Sequence, residues 1–411
     1  MTSRERVRKM LRGELKNSFC ISIGGMANDN MSAYAYARLL KHLGMEKKPI
    51  KVYDLFQMIP ILDLDVVNRL GGDFVHAQRP RYRFNMDQKQ WREGTLNDGT
   101  PCLYPAEFQT VDAGPKGLWV EMDGEKYARM PQNGLYFDIM HHPLEEAEDP
   151  EDLRLIHPAV PMSEEDIDYT VREIEYLYAH TDKAIVLLFA GQLVEQGQRD
   201  FGFESFYCNL AVEKELMHAY FRMITDVYMD NLSRILERAG DKIDVIWFCD
   251  DIGTQQSLQF SLPMYREMIK PYTSEMWGYI HANYPQIGVL YHSCGAIFDL
   301  IPDLIEAGAD LLNPVQISAA GMDPQKLKDT YGRQIIFWGG GTDTQTLEEM
   351  SDLGEIRENA ERLLKIFSAE GNYVFSQVHN FQADTPPEKI LAIFDTAKAY
   401  RDQLEAINEN E

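Results

Sequence analysis

The chain has no long apolar run. Its longest, Ala184 to Gly191, falls far short of the roughly 20 residues a membrane helix needs, so no bilayer span is expected. Cysteine is sparse as well. Cys20, Cys102, Cys208, Cys249 and Cys294 are an odd, scattered set, which suggests no disulfide framework and fits a reducing cytoplasm. Positive charge is also in short supply: 40 Lys and Arg stand against 65 Asp and Glu, a formal net charge of −25. Such a field repels phosphate backbones and anionic lipid, so neither nucleic acid nor a membrane surface is an expected partner. It also disfavours substrates that carry many carboxylates. The opening Met1-Thr2-Ser3-Arg4-Glu5-Arg6-Val7-Arg8 is charged and leads into no apolar stretch, so it does not read as a secretory signal. No linker, low-complexity tract or short repeat divides the 411 residues, and one domain over 1–411 is expected.

What the chain does have, from about residue 180, is a rhythm. Short apolar runs lead into polar or glycine-rich loops and then into helical patterns. The runs are Ile185–Ala190, Val245–Cys249, Gly288–Tyr291, Asp310–Leu312, Ile335–Trp338 and Tyr373–Phe375. Amphipathic stretches such as Pro302–Ala307, Asp323–Tyr331, Glu348–Ala369 and Pro387–Leu404 lie between or after them. Near-continuous apolar strands alternating with helices mean parallel βα units. Six of them in the second half suit an α/β fold of the (β/α)8 (TIM) barrel type better than an open sheet. Residues 1–70 read as an N-terminal helical cap, with helical periodicity over Arg4–Leu15 and Ala33–Leu43 and a further start at Asp65–Leu70. Phe74–Phe84 is then expected as the first barrel strand. Within 99–130, Leu118–Met122 and Lys126–Arg129 flank Asp123-Gly124-Glu125, the signature of an inserted β-hairpin. The acidic stretch Leu144–Asp152 reads as a solvated loop.

In such a barrel the loops after the strands build the active site, so chemistry is sought just past each run. There the sequence places Gln192, Asp250-Asp251, His292 and Cys294, Asn313 and Gln316, Gly339-Gly340-Gly341-Thr342-Asp343, and His379-Asn380. In Tyr291-His292-Ser293-Cys294-Gly295 the His and Cys are two apart at a strand end. Their side chains therefore point the same way, and imidazole and thiolate are preferred zinc ligands. His379 is the natural third ligand, and two His with one Cys would leave a fourth position open, as catalytic zinc sites do. The competing readings are a packed strand end and a loop-bonding histidine. Asp250 and Asp251 are expected to divide the work, one capping or orienting and one facing the site as acid or base. Gly340 and Gly341 could offer N–H groups to an anion or only permit a tight turn. Gln192, Asn313, Gln316, Asp343 and Asn380 are expected to line the binding pocket.

At these residues the chain resembles the uroporphyrinogen decarboxylase-like superfamily. The carrying motifs are Asp250-Asp251-Ile252-Gly253-Thr254-Gln255, Tyr291-His292-Ser293-Cys294-Gly295, Phe337-Trp338-Gly339-Gly340-Gly341-Thr342-Asp343 and the His379 segment, and the resemblance runs over nearly the whole chain. It implies a (β/α)8 barrel. True uroporphyrinogen decarboxylases use no metal and carry an arginine-rich Met-Arg-Gln-Ala-Gly-Arg segment that grips carboxylates. The nearest basic cluster here, Arg79-Pro80-Arg81-Tyr82-Arg83, does not match it. The corrinoid-dependent methyltransferase branch binds zinc through His-x-Cys and a later Cys in a Cys-Gly-x-Pro-Pro-x-Thr-Pro segment. That segment lines up with His379 through Pro386 without a gap, so this chain has His379 where that branch has Cys.

The resemblance thus implies Zn2+ at His292, Cys294 and His379, and a corrinoid (cobalamin) as methyl acceptor. The chain has no Asp-x-His-x-x-Gly segment, so a separate corrinoid protein is the expected partner. Exchanging a thiolate for neutral imidazole makes the zinc a stronger Lewis acid and a poorer thiolate activator. The expectation is therefore O-demethylation: a methyl group leaves a methoxylated small-molecule donor, aromatic or related, for a Co(I) corrinoid. The alternatives are methylcobamide:thiol methyl transfer, a metal-free lyase, and a barrel that binds a corrinoid without turnover. A cytoplasmic homodimer completes the expectation.

Overall fold

The computed structural model describes residues 1–46, 48–122 and 124–408, the side chains of Arg83 and Asn408 excepted. Eight parallel strands form the centre: β1 (Cys20–Ile21), β2 (Phe74–Ala77), β3 (Ala184–Ala190), β4 (Val245–Cys249), β5 (Gly288–His292), β6 (Leu311–Asn313), β7 (Ile336–Trp338) and β8 (Tyr373–Phe375). Each pairs with its successor from β2 to β8, and β8 pairs with β1. Asp73 bridges the remaining seam between β1 and β2. Its N–H donates to Ile21 O at 2.7 Å, and its carboxylate accepts the Ile21 N–H at 2.8 Å. Helices intervene between successive strands, among them Glu164–His180, Lys214–Ala239, Lys270–Asn283 and Leu353–Phe367. This is a nearly closed (β/α)8 barrel.

Both faces of every strand are covered, which is why the strands read as continuous apolar runs. Along β3, Val186 and Leu188 face the barrel interior beside Phe74, Trp247, Leu290 and Trp338. The alternate residues Ile185, Leu187 and Phe189 join Phe248, Tyr291 and Phe375 against the helices. The period of two that assigns these faces carries on to the strand ends. There Cys249, His292 and Asn313 stand in register on neighbouring strands.

Three expectations need correction. Phe74 opens the second barrel strand in chain order, not the first, and that strand ends at Ala77. The first strand is Cys20–Ile21, inside the segment that read as helical. Two residues are too short to show a period, and this strand exists only because β8 and Asp73 pair with it. Around it, 1–70 does hold the helices Ser3–Leu11, Ala33–Leu43 and Leu64–Leu70. The hairpin is present, with Leu118–Met122 antiparallel to Glu125–Met130, although Asp123 of its turn lies outside the described residues. It belongs to one of two four-stranded sheets that precede β3; the other joins Ile50–Asp54 to Pro101–Pro105 and Trp91–Thr95. The acidic stretch is not wholly a solvated loop either: Leu144 and Ala147 are buried, and from Pro150 the chain enters the helix Pro150–Ile156. Among the described residues no helix is long and apolar enough to cross a membrane.

Candidate functional site

His292 ends β5 and is 1% exposed. Its Nδ1 lies 2.5 Å from Asn313 Oδ1. An amide oxygen can only accept, so Nδ1 carries the proton and Nε2 keeps its lone pair. That lone pair faces Cys294 Sγ at 3.5 Å. Asn313 is itself fixed, because its Nδ2 donates to Trp338 O at 3.0 Å. Cys294 is set by the loop after β5, where Gly295 has φ +95° and a Cβ there would lie 2.5 Å from the Gly253 carbonyl carbon. Only glycine lets the two loops meet this closely.

His379, past β8, completes a group. Donor atoms of His292, Cys294 and His379 all lie within 4.8 Å of one another. Asn28 Nδ2 stands 3.2 Å from His379 Nε2, and Asn28 Oδ1 has no partner among the described residues. Asn313 is thus the kind of outer contact that orients a metal-ligating imidazole; at His379 the Asn28 amide N–H meets Nε2 as an acceptor, a lone pair that a bound metal would take over. Burial pushes both His292 and His379 down to about 4, with Asn313 opposing at His292 and the neighbouring His292 adding to the effect at His379. Both rings are therefore neutral and ligand-ready at pH 7. Burial, reinforced by Asp251, holds the Cys294 thiol well above its ordinary range. A cation would reverse that by favouring thiolate. Two imidazole nitrogens and one sulfur, convergent, with His292 supported from behind by Asn313, fit zinc.

The two aspartates take different places. Asp250 is buried and accepts the Leu193 and Glu195 N–H groups, each at 2.8 Å. It thereby caps the helix Val194–Phe201. Burial, with Glu195 adding, pushes Asp250 up to about 8 against the pull of those N–H bonds. Asp251 accepts the Cys294 N–H at 2.8 Å and lies 3.6 Å from His292 Nε2. Its side chain is 38% exposed and opens into a cavity of about 390 Å³. Burial and Glu195 raise it to about 6. Of the residues expected in the site, Asp251 and His379 line this cavity, together with Glu195, Arg199 and Cys249. Phe56, Phe137 and Ile139 form an apolar side, and Asn28, Gln57 and Asp138 complete the lining.

Gln192, Asn313, Gln316, Gly340, Gly341, Asp343 and Asn380, expected to line the pocket, are not in the lining of this cavity. Gln192 accepts from Arg199 Nη1 at 2.7 Å and donates to Glu195. Gln316 Oε1 accepts the Gly295 N–H at 2.6 Å. Asn380 Oδ1 accepts the Asn30 N–H at 2.8 Å, and its Nδ2 donates to Gln57 at 3.1 Å. Asp343 accepts the Gln345 N–H at 3.0 Å. Gly341 gives its N–H to Ser376 O at 2.8 Å, and a Cβ there would sit 2.3 Å from the Phe375 ring. Gly340, at φ +71°, serves the same tight turn.

Sequence reading missed Asn28, Glu195, Arg199 and the cavity-lining role of Cys249. A Glu195 and Arg199 spaced four apart just past a strand was a usable signal. Asn28 was hidden because the strand before it was.

The family model for uroporphyrinogen decarboxylase (URO-D) matches residues 139–400. No curated protein matches the chain. Among solved structures, a psychrophilic family 10 endo-β-1,4-xylanase is 11% identical, covering 64% of this chain and 73% of its own, with a TM-score of 0.31. A 7,8-dihydropteroate synthase from Vibrio fischeri ES114 is 12% identical over 60% and 77%, TM-score 0.25. An α-amylase from Lactobacillus plantarum is 11% identical over 96% and 81%, TM-score 0.35. Likenesses this remote add nothing to the functional reading. The barrel and the family match over 139–400 together decide the matter: the chain belongs to the uroporphyrinogen decarboxylase (URO-D) family, whose members are enzymes.

Proposed function

We propose that this protein is a zinc-dependent methyltransferase that moves a methyl group from a methoxylated, aromatic donor to the Co(I) corrinoid of a separate protein. The observation that carries the reading is the His292–Cys294–His379 group, whose donor atoms converge within 4.8 Å next to a cavity of substrate size. Bound there, zinc would supply Lewis acidity to an ether oxygen. A donor set with one thiolate rather than two suits that task better than arming a thiol. The methyl–oxygen bond breaks with its electron pair left on oxygen, which takes up a proton; the new cobalt–carbon bond uses the electron pair of Co(I).

The chain's own residues supply position and proton. Asn313 holds the His292 imidazole with Nε2 free. Asp251 faces the cavity beside His292 and is the group placed to serve the leaving oxygen. Asp250, occupied by two helix N–H groups, positions Glu195 and Arg199 instead. A decarboxylase acting on a polycarboxylate would call for several cations in the cavity. Its described lining holds one, Arg199, already paired with Glu195 at 2.8 Å. The proposed setting is the cytoplasm, as a homodimer working with a corrinoid protein.

The test is turnover of a panel of methoxylated arenes by the zinc-loaded protein with chemically reduced cobalamin, followed by loss of the Co(I) absorbance. Demethylation is expected, with a drop of about 10²-fold or more in Asp251→Asn. A protein that demethylates none of the panel, yet methylates a thiol from methylcobalamin, would overturn the reading.

A further inference from the structure

The charge on the cavity wall says which donors can enter. Arg199 is the only cation among the described lining residues, and it is not free. Its Nη2 donates to Glu195 Oε2 at 2.8 Å and its Nη1 to Gln192 Oε1 at 2.7 Å. Both members of the ion pair are 18% exposed. Asp250 fixes the turn that carries Glu195 by accepting its N–H at 2.8 Å, so the pair is built into the helix rather than assembled by chance. Asp138 and Asp251 add two more acids to the same wall. Against them stand Phe56 and Phe137, whose cluster continues through Phe84, 4.7 Å from Phe56 and 6.0 Å from Phe137, ring centre to ring centre.

We infer that the cavity selects an uncharged aromatic methyl ether and turns away donors bearing a carboxylate, with Glu195 acting as a built-in carboxylate that occupies Arg199. The inference rests on the methyl-ether reading above and narrows it to one donor class. With its ring on Phe56 and Phe137, a donor whose carboxylate does not reach the metal position at His379 must either displace Glu195 from Arg199 or set that carboxylate beside three acids in a partly desolvated space, and like charges at short range are costly there. A flat uncharged ring meets no such opposition and gains the aromatic face of Phe56 and Phe137.

The test uses two probes of similar shape, 2-methoxyphenol and 2-methoxybenzoate, titrated calorimetrically into the zinc-loaded full chain at pH 7.5. The wild type is expected to bind the phenol at least tenfold more tightly. Glu195→Gln frees Arg199 and should raise benzoate affinity at least tenfold; adding Arg199→Gln should abolish that gain. A wild type that binds the benzoate as well as or better than the phenol overturns the inference and leaves methyl-ether chemistry standing, as does Glu195→Gln that folds but gains nothing. Binding of neither probe removes the aromatic-ether reading and this inference with it. The wild-type ratio stands as a test even if the variants do not fold.

Discussion

At the scale of single residues, burial decides which side chains stay neutral and so what they can do. His292 and His379 are the cases that bear on function; His76, on β2, shows the same physics away from the metal ligands. It is 7% exposed, with Nδ1 at 2.9 Å from Gly24 O and Nε2 at 2.7 Å from Gln78 Nε2. A neutral ring serves both contacts, and burial lowers it from 6.5 to about 4. A depressed histidine contributes stability that is whole above its unfolded value of 6.5 and is lost as pH falls through about 4. Chemical denaturation at pH 7 and pH 4 should show the wild type losing roughly 3 kcal/mol more than His76→Gln across that window. Equal losses would mean the ring is not held neutral. Residue chemistry was the most legible layer of the sequence. His292, Cys294, His379 and the aspartate pair were readable because strand ends in a barrel must converge. Asn28 was not, since it takes its role from His379, far away in the sequence.

At the scale of elements, the site depends on how closely two loops meet. The loop after β4 and the loop after β5 touch at Gly253 and Gly295, where a Cβ on Gly253 would lie 2.5 Å from Cys294 O. Gly295→Ala therefore strains a φ of +95°, a cost of about 1–3 kcal/mol, and shifts Cys294. Zinc affinity measured against a competing chelator should fall about 10- to 100-fold, as when an outer support of a ligand is lost. Unchanged affinity would show that the loop contact does not set the thiol. Strands β3 to β8 were legible because burial on both faces writes them as apolar runs. β1 was not, because two residues carry no period, and the two small sheets were not, because their pairings join segments as far apart as Ile50–Asp54 and Pro101–Pro105.

At the scale of the molecule, one buried carboxylate ties the barrel's seam to both ends of the chain. Asp73 bridges β1 and β2 and also receives Arg6 Nη1 at 2.9 Å and Arg401 Nη1 at 2.7 Å. Asp73→Ala leaves two guanidiniums with little exposure and no seam partner, a loss of about 3–5 kcal/mol that a denaturant midpoint would register; a change under about 1 kcal/mol, the scale of a surface pair, would contradict this. Closing the barrel matters for function because it brings the end of β5 and the segment after β8 to one place, where His292 and His379 meet Cys294. The most direct measurement is the metal content of the purified full-length protein. Zinc near one per chain is expected, lost in both His292→Ala and His379→Ala while the fold persists by circular dichroism. Protein without bound metal after zinc loading, or zinc retained at full stoichiometry in both variants, would contradict a His292–Cys294–His379 centre.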